Sequence, residues 1–155
     1  MKNVILTGFA GTGKTVVGQA VATLLGWRFL DTDAVLERLA GKSVEAVFAD
    51  DGEGAFRDLE SQVLAEVCSS TQQVISTGGG MVIDPANRSL MRDSGFVVCL
   101  EAKAETIIQR LFSATSENET VRPLLQGDHP LGRAMELKAG RAAAYDQVHW
   151  TIHTD

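Results

Sequence analysis

The sequence predicts an α/β fold in which a parallel sheet carries helices on both faces. Short apolar runs recur along the chain, and longer segments with helical spacing lie between them. Because the runs are continuous rather than alternating, they are typical of strands that are buried on both faces. Strands that alternate with helices pair in parallel through right-handed crossovers. A glycine-rich motif between the first run and the first helical segment fits a strand-to-helix turn of this fold class.

Five apolar runs predict the strands, which are short and contain β-branched or aromatic residues. They cover residues 4–6, 28–30, 74–76, 97–100 and 150–152. The first helix is predicted to end at Gly26 and to present an apolar face made of Val16, Val17, Ala20, Val21, Leu24 and Leu25. Further helical spacing marks residues 35–39, ending near Gly41, then residues 56–67 and 107–111, and another segment spans 131–144. The polar stretch 113–132 contains two of the three prolines and predicts a long loop, which is typical of a functional lid or of disorder.

Composition limits the classes of function. The chain has 155 residues, of which 45% are hydrophobic and 22% charged, as expected for one soluble globular domain. The net charge of −6, with no basic run, argues against nucleic-acid binding. No apolar run approaches the ~20 residues of a membrane span, and the amino end does not resemble a signal peptide. We therefore expect a cytoplasmic protein, a monomer by default, with Cys68 and Cys99 as reduced core thiols.

Residues 8–15 read GFAGTGKT and match the phosphate-loop pattern G-x-x-x-x-G-K-[ST], for which a chance match has odds of roughly 0.6%. Glycines let successive N–H groups turn toward phosphate oxygens, and the following helix adds partial positive charge. Lys14 can reach the β- and γ-phosphates, and the Thr15 hydroxyl can ligate Mg²⁺. The alternative is a glycine-rich turn that only connects a strand to a helix.

Two carboxylates, Asp31 and Asp33, follow the second predicted strand. Ligands of open α/β sheets bind at the carboxyl ends of the strands. One carboxylate can hold Mg²⁺ through water while the other orients a substrate hydroxyl. Since the third strand has no terminal aspartate, Asp31 is the best candidate for the magnesium role. The alternative is that Asp31 or Asp33 caps the next helix.

Three glycines, Gly78, Gly79 and Gly80, follow the third predicted strand directly. Their entropic cost indicates that something approaches the main chain closely, and a ligand bound by backbone N–H groups would do so. A flexible hinge is the alternative.

Three arginines are candidates for binding anions. Arg57 and Glu60 are spaced to pair on a helix, either as an ordinary solvated ion pair or as a preorganised fork for an anionic ligand. Arg122 lies in the long loop beside Pro123 and two leucines, where loop closure would bring it to a transferring phosphoryl group. Arg141, taken alone, predicts a surface residue.

These motifs together resemble the shikimate kinase family, which consists of small P-loop phosphotransferases of the nucleoside-monophosphate-kinase fold. The resemblance runs from residue 4 to residue 154, and the motifs stand in the family's order. They are the loop 8–15, the segment 29–33, Gly52-Glu53 with Phe56, Arg57 and Glu60, the segment 76–80, the segment 122–125, and Arg141 with Tyr145.

The resemblance implies a three-layer P-loop kinase fold with a five-stranded parallel sheet in one domain over residues 1–155. A substrate-binding region would cover about residues 34–60 and a lid about residues 112–130. The implied reaction is transfer of a phosphoryl group from ATP to the 3-hydroxyl of shikimate, a step of aromatic amino-acid biosynthesis, with Mg²⁺ as cofactor. Two alternatives stay open: a kinase for another carboxylated polyol such as gluconate, and a nucleotide-binding module without turnover.

The resemblance also implies roles for individual residues. Lys14, Asp33 and Arg122 would be catalytic, and Thr15 and Asp31 would serve Mg²⁺. ATP would be bound by Gly11, Thr12, Gly13, Lys14, Thr15, Arg110 and Arg122. Shikimate would be bound by Asp33, Arg57, Gly78, Gly79, Gly80 and Arg141, and Glu60 would hold Arg57 in place.

Overall fold

The protein contains one five-stranded parallel sheet with the strand order β2-β3-β1-β4-β5, as seen in a computed structural model that describes residues 2–113 and 129–155. The strands are β1 (Asn3–Thr7), β2 (Arg28–Asp31), β3 (Gln73–Ser76), β4 (Phe96–Glu101) and β5 (Trp150–His153). The helices are α1 (Lys14–Leu25), α2 (Thr32–Ala40), α3 (Val44–Val67), α4 (Pro85–Ser94), α5 (Ala104–Ser113) and α6 (Pro130–Tyr145), and a short 3₁₀ turn spans Met81–Ile83. The predicted fold class and all five predicted strands are confirmed.

The sheet separates two apolar clusters because alternate residues of a strand point to opposite faces. Ile5 and Ile75 face a large cluster that includes residues of α2 to α6. Leu6 and Val74 face a smaller cluster to which α1 contributes. The central strands are thus covered on both sides, which explains their continuous apolar runs.

Strand register brings the functional loops to one edge of the sheet. Leu6 of β1 pairs with Ser76 of β3, and Ser76 also pairs with Asp31 of β2. The chain leaves these strands as the phosphate loop, the start of α2 and the triple glycine. Three candidate segments that are distant in sequence therefore meet at the carboxyl edge.

Helix α1 follows the predicted limits, but only part of its predicted apolar face packs against the sheet. Val16 is 74% exposed and Leu24 is 85% exposed, whereas Gly18 and Ala22 are buried. The predicted apolar face is confirmed at Val17 and Val21, which pack against the smaller cluster, and is wrong at the exposed Val16 and Leu24. The contact face is rotated toward small residues, which let the helix approach the sheet closely.

Two helix assignments also needed the structure. Helix α4 has no counterpart in the sequence analysis because its surface is polar; the signals that mark it are Asp84 as amino-terminal cap and Pro85 in the first turn. Helix α6 begins at Pro130, so the predicted loop 113–132 is wrong at its end. Pro130 begins a helix because its fixed φ angle suits the first helical position.

Helix α3 is longer than predicted and has a kink. It begins at Val44, with Ser43 as its cap, and Gly52 interrupts it with a φ of 88°. The kink divides the helix into a part that contains Phe48 and a part that contains Arg57, and the rings of Phe48 and Phe56 lie 4.6 Å apart across it. The predicted substrate-binding region, about residues 34–60, covers most of α2 and continues through the kink of α3 as far as Glu60.

Among the described helices, none is long and apolar enough to cross a membrane.

Cys68 and Cys99 are both free thiols, and only Cys99 is fully buried.

Candidate active site

The phosphate loop connects β1 to α1 and has the shape that its sequence predicts. Gly13 caps α1 with a φ of 98°, a conformation that favours glycine, and no side chain caps this helix end. The first turn of α1 has no acidic residue, so its N–H groups and partial positive charge suit an anion. The loop is closed by Thr12 Oγ1, which donates to the Phe9 carbonyl at 2.8 Å.

Lys14 reaches back across the loop. Its Nζ donates to the carbonyl oxygens of Gly8 at 2.8 Å and Phe9 at 2.9 Å. These contacts hold the ammonium group close to the loop, so a bound phosphate group would meet both the ammonium group and the loop amides.

The larger cavity, of about 520 Å³, lies over the phosphate loop. Its lining includes Asp31 and Asp33 from the end of β2 and the start of α2, and Arg110 from α5. The predicted residues that it brings together are Gly11, Thr12, Gly13, Lys14, Thr15, Asp31, Asp33, Gly78, Gly79 and Arg110. We call it the donor cavity.

A second cavity, of about 80 Å³, adjoins the donor cavity. Its charged wall consists of Asp33, Arg57, Glu60 and Arg141, and its apolar wall includes Phe48 and Phe56 of α3 and Leu137 of α6. Both cavities are lined by Ala10, Asp33, Gly78 and Gly79. We call this second one the acceptor cavity, and Asp33 lies at its junction with the donor cavity.

Arg57 is held by a buried carboxylate. Its Nη1 donates to Glu60 Oε1 at 2.6 Å, and the side chains of Arg57 and Glu60 are 27% and 2% exposed. Burial raises the pKa of Glu60, and the Arg57 charge opposes that rise. This pair differs from an ordinary solvated ion pair. The Arg57 Nη2 also lies 3.4 Å from Glu53 Oε1, and the side chain lines the acceptor cavity.

The triple glycine is explained by close approach. A Cβ on Gly78 would lie 2.8 Å from Glu60 Oε2, and one on Gly80 would lie 2.4 Å from Arg57 Nη1. Thr32 Oγ1 accepts a hydrogen bond from the Gly78 N–H at 3.1 Å. The groups that crowd this main chain are the protein's own charged side chains, a cause that the sequence analysis did not consider.

Gly80→Ala is expected to displace Arg57 without unfolding the protein. The φ of −99° at Gly80 suits alanine, and the clashing atoms are the end of a flexible side chain. We expect the KM for the acceptor to rise by about tenfold or more, as for loss of a charge-assisted contact, with the ATP KM little changed. Gly140→Ala is the matched control, since a Cβ there meets nothing within 4 Å. Equal acceptor KM values for the two variants would contradict this account of Gly80.

Arg141 is buried rather than on the surface. It is 8% exposed, and its guanidinium lies over the Phe9 ring at 5.5 Å. The prediction from its isolated position is therefore wrong, whereas the resemblance places it correctly beside the other acceptor-cavity residues. Phe9 itself was missed: it joins this arginine to the phosphate loop, and in the sequence it occupies one of the motif's unspecified positions.

Tyr145 supports this region from the end of α6. Its hydroxyl donates to the Gly79 carbonyl at 2.6 Å, and burial raises its pKa from 10 to about 12. Because the folded-state pKa lies above the unfolded value, the contribution of Tyr145 to stability is fully present below pH 10 and is lost as pH rises through 12.

We expect the free energy of unfolding to decline by at most roughly 3 kcal/mol over that interval because of this group. This decline can be measured by urea unfolding of the wild type and of Tyr145→Phe at a series of alkaline pH values. The difference between the two proteins should shrink or reverse as pH rises, and a constant difference would contradict the assignment.

Asp31 has the capping role that was the alternative for it, and it also lies at the donor cavity. Its Oδ1 accepts from the Asp33 N–H at 2.9 Å and caps α2, while the side chain also lines the donor cavity. The capping alternative is therefore observed, and it is compatible with a place beside bound phosphates.

Arg110 contacts the phosphate loop from α5. Its guanidinium donates to the Gly11 carbonyl at 3.1 Å and to the carbonyl and hydroxyl of Thr154. Thr154 Oγ1 in turn donates to the Thr12 carbonyl at 2.7 Å. Sequence reasoning missed Thr154 because no motif includes it. Arg122 and most of the predicted lid lie outside the described residues.

The described residues contain no cluster of three or more His, Cys, Asp or Glu side chains suited to a metal ion. Thr15 and Asp31 nevertheless line one cavity beside the phosphate loop. A hydroxyl and a carboxylate fit Mg²⁺ that arrives with a nucleotide, because such ions keep several waters and phosphate ligands.

The geometry can be compared with known proteins. The family model described as shikimate kinase matches residues 10–155. A shikimate kinase of Symbiobacterium thermophilum is 44% identical over 99% of this chain and 87% of its own length. A shikimate kinase of Thermodesulfovibrio yellowstonii is 39% identical over 100% of this chain and 87% of its own length. The solved structure of shikimate kinase from Acinetobacter baumannii in complex with shikimate has a TM-score of 0.92 at 37% identity, covering 100% of this chain and 84% of that one.

A more distant structure bears on the gluconate alternative. A gluconokinase from Sinorhizobium meliloti has a TM-score of 0.55 at 16% identity, over 99% of this chain and 82% of that chain. Similarity at that level extends to the fold alone.

Proposed function

The chain belongs to the shikimate kinase family, and from this premise we propose that it transfers the γ-phosphoryl group of ATP to the 3-hydroxyl of shikimate, giving shikimate 3-phosphate and ADP. The observation that carries the residue assignment is the place of Asp33, in the lining of both cavities. On one side of it lies Lys14 with the phosphate loop, and on the other lie Arg57 and Arg141.

The acceptor cavity fits a carboxylated cyclic alcohol. Arg57 and Arg141 supply positive charge for the carboxylate, and Glu60 holds the Arg57 guanidinium at a fixed angle. Phe48 and Phe56 provide an apolar wall for the ring carbons. The hydroxyl that reacts would then point to Asp33 at the junction.

The donor cavity fits the triphosphate of ATP. The amides of the phosphate loop and the amino end of α1 would hold the β- and γ-phosphates, with Lys14 neutralising charge that develops during transfer. Arg110 and Thr154 line the same cavity and donate to the carbonyls of Gly11 and Thr12 in the loop. Bound Mg²⁺ would be held by Thr15 and, through water, by Asp31, and it supplies charge neutralisation between the phosphates.

Transfer breaks the bond between the γ-phosphorus and the β,γ-bridging oxygen and forms a bond to the acceptor oxygen. Asp33 orients the acceptor hydroxyl and is placed to receive its proton. Because the transition state is loose, positioning and charge neutralisation do most of the catalytic work. We assign Arg122 to phosphate contact from the lid, on the resemblance alone.

We also propose that the protein acts as a monomer in the cytoplasm. Both cavities are formed within one chain, so the site needs no second copy. Light scattering on a sizing column measures the mass in solution, and twice the chain mass of 16.6 kDa would contradict the monomer.

Coupled ADP release over a panel of acceptors tests the reaction. Shikimate, gluconate and a nucleoside monophosphate are each supplied with Mg-ATP, and we expect turnover with shikimate far above the other two. Faster turnover with gluconate would favour the first alternative. No turnover with any acceptor, together with measurable ATP binding, would favour the nucleotide-binding module.

A further inference from the structure

Tyr145 is a buried phenol beside the site with no role in the mechanism above. It is the last residue of α6 and only 4% exposed, and its hydroxyl donates to the Gly79 carbonyl at 2.6 Å. Arg141, one helical turn earlier, lines the acceptor cavity. Tyr145 is not among the described residues that line either cavity.

The bond from Tyr145 determines more than the position of one oxygen atom. The Gly79 carbonyl and the Gly80 N–H belong to the same planar peptide unit and point in opposite directions. An anchor on the carbonyl therefore also fixes the direction of the N–H. The Gly80 main chain lies close to the Arg57 guanidinium, since a Cβ there would clash with it.

The glycine segment needs anchors because it has no side chains of its own. Three successive glycines have more conformational freedom than any other tripeptide. The Gly78 N–H is held by Thr32 Oγ1 on α2, and the Gly79 carbonyl is held by Tyr145 on α6. Two hydroxyl groups from different helices thus hold the first two glycines, while the Gly78 and Gly80 carbonyls accept from the N–H groups of Met81 and Ile83.

We propose that Tyr145 is a positioning residue of the acceptor site, whose hydroxyl fixes the Gly79–Gly80 peptide against Arg57 and Arg141. The inference rests on the proposed function, because it assumes that the acceptor cavity binds the carboxylated substrate. Burial suits this role, since a phenol kept neutral remains a donor. A residue that only fills the core would affect stability and leave the balance between the two substrates unchanged.

Tyr145→Phe keeps the ring and removes only the hydroxyl. We expect the shikimate KM to rise by about three- to tenfold, as for loss of one hydrogen bond, while the ATP KM changes by less than about twofold. Ser94→Ala is the matched control. It removes a hydroxyl that also donates to a backbone carbonyl, that of Leu90 on α4, and it should leave both KM values unchanged.

A second measurement does not depend on the variant. Tyr145 is the only tyrosine of the chain, so labelling tyrosine with ¹³C at the ring carbon that bears oxygen gives one protein resonance. We expect saturating shikimate to shift this resonance more than a non-hydrolysable ATP analogue does. If Tyr145→Phe does not fold, this measurement decides.

The outcomes separate the two claims. A wild type that does not phosphorylate shikimate overturns the proposed function. A wild type that does, together with an unchanged shikimate KM in Tyr145→Phe or equal rises in both KM values, overturns the positioning role alone. A resonance that shikimate leaves unmoved also overturns it.

Discussion

Lys14→Met is expected to lower kcat by about 100- to 1000-fold while shikimate still binds. In the proposed function Lys14 neutralises charge at the β- and γ-phosphates, and methionine approximates its length without its charge. Its Nζ donates to two carbonyl oxygens of the phosphate loop, so the variant also loses part of what shapes that loop. We therefore expect the ATP KM to rise as well, and stability to fall by about 1 kcal/mol.

Initial rates of ADP release and calorimetric titration with shikimate measure the two effects of Lys14→Met separately. Lys103→Met is the control, because it removes the same charge from an exposed position beyond the end of β4. A kcat within about threefold of the wild type would disprove the phosphate assignment, given what a preorganised charge contributes. Loss of shikimate binding in Lys14→Met would mean that the two cavities are not independent.

Much of the fold could be predicted because its signals are local. Five apolar runs and a glycine-lysine motif predict where the strands and the phosphate loop lie along the chain without knowledge of distant contacts. The face of α1 could not be predicted in this way. It depends on how closely Gly18 and Ala22 can approach the sheet, and that distance is set by the helix and the sheet together rather than by the helix sequence alone. Helix α4 was missed because it has few apolar residues, and its buried face includes the polar side chains of Asn87 and Ser94.

The candidate site shows the same division. Residues within motifs, such as Lys14 and Asp33, could be found because the chemistry requires them at fixed spacings. Phe9 and Thr154 could not, because they act through contacts with residues from distant parts of the chain. The reason for the triple glycine could be predicted only in part. The sequence predicts a close approach to the main chain, but not that Glu60 and Arg57 make it.

Arg57→Ala should weaken shikimate binding much more than ATP binding. The variant removes a charge-assisted contact to the carboxylate, and we expect the shikimate KM to rise by about 10- to 100-fold. The ATP KM should change by less than about threefold, because Arg57 lines the acceptor cavity and is not among the residues that line the donor cavity. Steady-state kinetics with each substrate varied in turn measure both values. Arg92→Ala, at an exposed position in the last turn of α4, is the control.

Stability must be separated from binding in this case, because Arg57→Ala also leaves Glu60 buried without its partner. We expect the free energy of unfolding to fall by about 1–3 kcal/mol, less than for a fully buried pair since Arg57 is 27% exposed. The double variant Arg57→Ala/Glu60→Gln removes the stranded charge, so stability should recover while the shikimate KM remains high. If both recover together, Arg57 is structural; if only stability recovers, its guanidinium binds the acceptor.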